Sequence, residues 1–107
     1  MPGQTGQGFN YQNITSNTTT TIFSGIGPNY VGTPMGILHT IVVNGAGATG
    51  GTITIYDSAT GSGETVATIN VPNAASSFTA IYDIQLNFGL TIVTATMTAP
   101  DITVTWI

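Results

Sequence analysis

From residue 18 onward the chain is cut into short runs of β-branched residues bounded by Gly, Pro, Asn or Asp, and inside each run apolar side chains alternate with hydroxylated ones. A period of two is the period of a strand, because residues i and i+2 share a face. No stretch carries the i, i+3, i+4 spacing of an amphipathic helix, so the chain is expected to be all-β.

The runs can be read one by one. Residues 18–23 open the series, and 24–34 is a Gly/Pro loop. Residues 36–43 are nearly continuous in Ile37, Leu38, Ile41, Val42 and Val43, which predicts a central strand covered on both faces. Residues 51–56 set Ile53 and Ile55 against Thr52, Thr54 and Tyr56, and 64–71 set Ala67, Ile69 and Val71 against Val66, Thr68 and Asn70. With the turn-forming 57–63 between them, these two form a predicted hairpin. Residues 78–86 oppose Phe78, Ala80, Tyr82, Ile84 and Leu86 to Thr79, Ile81, Asp83 and Gln85. Runs at 90–94 and 101–107 close the series. Short strands about 8 to 12 residues apart predict one antiparallel β-sandwich of about seven or eight strands, jelly-roll or Ig-like, spanning 18–107.

Residues 1–17 are rich in Gly, Gln and Asn, with Phe9, Tyr11 and Ile14 as apolar anchors. The expectation is an extended N-terminal arm. Its alternate side chains suit addition to the sheet edge of a neighbour, so all three anchors are candidate interface residues.

Charge narrows the function. The 107 residues include 0 Lys+Arg, 4 Asp+Glu and 1 His, a formal charge of -4. Nucleic-acid binders neutralise phosphates with Lys and Arg, and Arg is the bidentate clamp for carboxylate and phosphate, so both roles are excluded as expectations. No apolar run reaches the about 18–20 residues of a bilayer span, and the first residues lack the basic and apolar regions of a secretory signal. Synthesis in a cytoplasm is the expectation. Ordinary domains carry about 25% charged residues, against 4% here. A surface built of Thr, Asn, Ser and Gln in place of charge predicts that much of it is covered by copies of the chain or by a larger assembly.

Chemistry has few candidates. His39 lies mid-strand among apolar residues and is read as structural, since a catalytic base needs a nucleophile beside it and a third group to orient it. Asp57, Glu64 and Asp101 fall at strand ends or turns, where carboxylates bond local backbone. Asp83 falls on the polar face of a strand. Residues 57–64 have acidic ends but not the ligand spacing of a calcium loop, and 45–50 resemble a phosphate loop without its Lys or its helix. The sequons at Asn13 and Asn17 are read as accidental. No catalytic, cofactor-binding or metal-ligating residue is expected, no cofactor is called for, and the chain is not expected to be an enzyme. Tyr11, Tyr30 and Trp106 could stack on a sugar; Trp106 alternates with Ile102 and Val104 and is read as core or interface, leaving Tyr30, in the Gly/Pro loop, as the better placed.

Five segments carry a resemblance: Gly-Ile-Leu-His-Thr-Ile-Val-Val-Asn at 36–44, Gly-Thr-Ile-Thr-Ile-Tyr-Asp at 51–57, Val-Ala-Thr-Ile at 66–69, Gly-Leu-Thr-Ile-Val at 89–93 and Asp-Ile-Thr-Val-Thr at 101–105. In this order, over about residues 36–105, they resemble a family of small tailed-bacteriophage virion proteins of β-sandwich fold. The resemblance implies a structural protein of the virion surface, most simply a capsid decoration or cement protein. It would oligomerise, a trimer being the expected form, and bind the major capsid protein or other virion proteins. It also implies that His39 is a feature of the fold. The alternative is a glycan-binding module of a head or tail fibre.

Overall fold

The computed structural model describes residues 9–24, 36–44, 50–73 and 76–107. Eight strands lie among them: β1 Asn10–Ile14, β2 Thr19–Ser24, β3 Gly36–Val43, β4 Thr52–Asp57, β5 Glu64–Asn70, β6 Phe78–Leu86, β7 Gly89–Ala95 and β8 Ile102–Trp106. They form two four-stranded antiparallel sheets, ordered β1-β8-β3-β6 and β2-β7-β4-β5.

The pairing runs from the outside of the chain inwards: β1 with β8, β2 with β7, β3 with β6 and β4 with β5. Only the β4–β5 hairpin joins neighbours within one sheet; every other connection crosses between sheets. A long hairpin folded over in this way is a jelly roll, which decides between the two topologies that alternation left open. β3 sits inside its sheet between β8 and β6, as its apolar run predicts.

The first seventeen residues hold the main departure from the expected layout. Residues 10–14 are extended, but the sheet edge they add to belongs to the chain itself: Asn10 pairs with Trp106 and Ile14 with Ile102. Ile14 is 4% exposed and joins the core. Strand β1 is therefore part of the sandwich, not of a separate arm.

Leu38, Ile41, Val43, Ile102 and Val104 of one sheet meet Ile53, Ile55, Leu90 and Ile92 of the other, all fully buried. Each such side chain contributes about 1.5–3 kcal/mol by leaving water. Close approach marks two glycines. A Cβ on Gly36 would stand 2.6 Å from the far end of the Phe23 ring, which would have to shift to admit it. Gly51 has φ +77°, and its Cβ would fall 2.3 Å from the Ala95 carbonyl oxygen.

Bulges correct the simple period. Between Ile55–Ala67 and Tyr56–Thr65 the register slips by one residue, at Val66. Strict alternation puts Val66 outward with Thr68; the slip brings it against the core.

Candidate interaction face

The two sandwich faces differ in chemistry. On the β2-β7-β4-β5 sheet, Ile53 and Ile55 point into the core, so Thr52, Thr54 and Tyr56 point away from it. The register then lines up Thr19, Val93, Thr54 and Thr68 in one outward row, and Thr21, Thr91, Tyr56 and Thr65 in the next. This face is hydroxylated, and the turn after β4 lies over its β2–β7 side, where Thr21 and Thr91 donate to the Ala59 and Ser58 carbonyls and Thr91 is fully buried.

On the β1-β8-β3-β6 sheet, Ile102 and Val104 are core residues, so Thr103, Thr105 and Ile107 face outward. One outward row is Tyr11, Thr105, Thr40 and Ile81 across all four strands. Thr40 and Thr105 share a hydrogen bond at 2.6 Å, which ties the two inner strands together. Tyr11 and Ile81 stand at the ends of the row, 73% and 67% exposed, about 14 Å apart at three strand spacings. Phe9 and Ile107 lie on the same side, also exposed. Four of the five exposed large hydrophobics among the described residues thus gather on one outer face; the fifth, Phe88, is in the β6–β7 turn.

A polar constellation is set into this face. Between the pairs Leu38–Ile84 and Thr40–Ile81, the single residue His39 opposes two residues of β6, Tyr82 and Asp83. Against β8, His39 has no opposite number between Trp106 and Thr105. The bulge swings the imidazole out over the face, where its Nδ1 hydrogen-bonds Asp83 Oδ1. Asp83 has φ +49°, a left-handed conformation that Asp tolerates better than most residues. The Phe9 ring stacks on the imidazole with centroids 3.9 Å apart and planes 10° from parallel. Edge strand β1, central strand β3 and edge strand β6 are thereby linked over the outside of β8.

Two of the other three carboxylates are also engaged. Asp101 Oδ1 accepts from Asn13 Nδ2 at 2.8 Å and from Asn44 Nδ2 at 3.2 Å. Asp57 does not bond its own turn; it caps the β6–β7 turn, accepting from the backbone N–H groups of Asn87, Phe88 and Gly89 at 2.9–3.4 Å. Both sequon asparagines are built into the fold. Asn17 donates to the Met97 carbonyl at 2.9 Å and accepts from the Met97 N–H at 3.0 Å, and Asn13 donates to the Ile102 carbonyl at 2.9 Å.

Among the residues singled out from sequence, Phe9 and Tyr11 lie on the exposed face and Ile14 does not: it is spent in the core. Trp106 packs half-buried against the core, with Leu38 and Asn10 as its strand neighbours, so it offers no free stacking platform. Tyr30 lies outside the described residues. Ile81 and Ile107 were hidden because alternation marks their positions as the polar side of their strands. Among the described residues no three His, Cys, Asp or Glu side chains gather as a metal site, and the His39–Asp83 pair has no nucleophile hydrogen-bonded to it. The arrangement suits contact with another surface. Comparison with protein-family models, with curated proteins and with solved structures finds no match.

Proposed function

We propose that this chain is a structural protein of a particle surface: a decoration or cement protein of a tailed-bacteriophage capsid, oligomeric and bound to the major capsid protein. The observation that carries the reading is the difference between the two outer faces, one collecting Phe9, Tyr11, Ile81 and Ile107, the other lined with threonines. A protein coating a larger body needs one face to bury and one to leave in water. Sparse charge serves the same end, since a charge trapped unpaired in a contact is costly. The resemblance over 36–105 supplies the phage context. The jelly roll serves viral coats and lectins alike and supports the reading by analogy alone. Many copies, each with a modest contact, would hold by multivalency.

A second reading, a glycan-binding head-fibre or tail-fibre module, is favoured by the Tyr11 ring, 73% exposed two positions along β1 from the polar Asn13. The test is co-sedimentation of the purified protein with heads assembled from the cognate major capsid protein, beside binding to immobilised host-surface glycans. Saturable binding to heads, unaffected by free sugar, is the expected result. Failure on heads with sugar binding lost in Tyr11→Ala would replace the first reading by the second.

A further inference from the structure

We infer that strand β1 is exchangeable: it leaves the β8 edge of its own chain and pairs with the β8 edge of a second copy, in the register it keeps at home. The inference goes beyond the coat reading, which does not depend on it, and concerns how copies link to one another.

β1 is lightly held. Four of its five residues are exposed and only Ile14 is buried, and as an edge strand it has β8 alone for a neighbour. Beyond the backbone ladder, the Asn13 amide donates to Asp101, to the Ile102 carbonyl and to Thr103, and just ahead of the strand Phe9 stacks on His39. Segments with so few buried apolar contacts open locally, without global unfolding.

The place where the chain opens is marked as well. Directly after β1 it is pinned again: Thr94 Oγ1 donates to the Ser16 carbonyl at 2.7 Å, Asn17 binds the Met97 backbone through both ends of its amide, and the Thr18 N–H donates to Thr94 Oγ1 at 2.9 Å. β1 therefore swings away at Thr15 while β2 and the rest of the sandwich stay in place. A short connection between an edge strand and a fixed body is the setting in which copies exchange elements.

The occupant follows from what the edge already accepts. With β1 gone, β8 presents unpaired backbone groups and the space left by Ile14, and Asp101 Oδ1 keeps Asn44 but lacks Asn13. The segment that fills all three needs is β1, and a second copy brings an identical one. Residues 9–18 carry no charge, so the strand itself adds no repulsion between two acidic copies. Its home edge competes at an effective concentration of about millimolar, so exchange prevails where copies are crowded together. Given back and forth the exchange closes at two copies; passed round a ring it closes at three or more.

The chain has no cysteine, and Tyr11 and Thr105 stand directly opposite on the outward side, within disulfide reach. The test mixes full-length Tyr11→Cys with full-length Thr105→Cys at about millimolar concentration, oxidises the mixture and weighs the linked dimers by mass spectrometry. Tyr11→Cys mixed with Phe88→Cys, in the β6–β7 turn, is the control. The expected result is mixed dimers at least about tenfold more abundant than in the control. Backbone amides of β1 should also exchange hydrogen at least about 100-fold faster than those joining β3 to β8. Mixed dimers no more abundant than in the control overturn the inference. So do β1 amides as protected as the β3–β8 ladder, since the strand then leaves only when the whole chain unfolds. If either variant melts early, Asn13→Cys with Thr103→Cys, the next outward pair, is read in the same way. Head binding without exchange removes this inference alone, and exchange without head binding removes the coat reading alone.

Discussion

His39 and Asp83 are joined by a hydrogen bond across a bulge in which one residue of β3 faces two of β6, and Asp83 adopts a left-handed backbone to make it. The bond and the backbone can be separated by substitution. Asp83→Asn keeps both a left-handed tolerance and a hydrogen-bonding side chain. Asp83→Gly loses the bond but relaxes the backbone, and Asp83→Val loses the bond and adds strain of about 1–2 kcal/mol. Stability in urea should fall in the order Asp, Asn, Gly, Val, with Val at least about 2 kcal/mol below Asp. Equal stability of the Gly and Val variants would show that the bulge relaxes freely.

The Asp57 carboxylate does for the β6–β7 turn what a helix cap does for a helix: it gathers the N–H groups of Asn87 and Phe88 in the turn and of Gly89 at the start of β7. Asp57→Ala should cost about 1–3 kcal/mol, the range for charge-assisted bonds at a partly exposed site. Asp57→Asn, with one acceptor oxygen, should recover part of the loss. Hydrogen exchange at Phe88 should accelerate in both variants more than exchange in the β4–β5 hairpin, which keeps its ladder.

Most of the sandwich is legible as alternation because a half-buried strand must alternate: β3 and β6 run over 36–43 and 78–86 as read from the residues. What alternation misses lies at points where the period breaks or where apolarity is not what holds the strand. Asn10–Ile14 buries one side chain, Ile14; the rest of its hold on β8 comes from backbone pairing and Asn13, which composition does not reveal. Val66 turns inward because of a register slip, and a bulge has no composition of its own. Ile81 occupies the polar side of β6, where an isoleucine reads as noise until β1 and β8 are laid beside it and Tyr11 and Ile107 prove to share its face. His39 reads as structural, and the geometry agrees as far as its bond to Asp83 goes; its stacking under Phe9 needed β1 in place.

Gly51, just before β4, lies against the end of its sheet neighbour β7. A Cβ there would stand 2.3 Å from the Ala95 oxygen and 2.6 Å from the Met97 nitrogen, on a backbone with φ +77°. Both neighbours are main chain and cannot turn aside as a side chain would. Gly51→Ala should therefore destabilise by more than about 2 kcal/mol, and the loss should appear as a lower urea midpoint at unchanged m-value. Gly36→Ala should cost less, because its nearest neighbour is the far end of the Phe23 ring.

Tyr82, packed half-buried against the core on the inner side of β6, has its phenol pushed above the usual value by burial. A group whose proton is held more tightly in the folded state leaves stability unchanged while both states are protonated. Stability then falls as pH rises past the unfolded value near about 10, and this one group's contribution to the fall is complete above the folded value. The wild-type chain should accordingly lose stability in alkali, and Tyr82→Phe should remove part of that slope while changing stability little near neutrality. Paired urea melts from pH 7 to pH 11 measure the difference; parallel curves for the two proteins would mean that the Tyr82 phenol ionises as freely in the fold as in the unfolded chain.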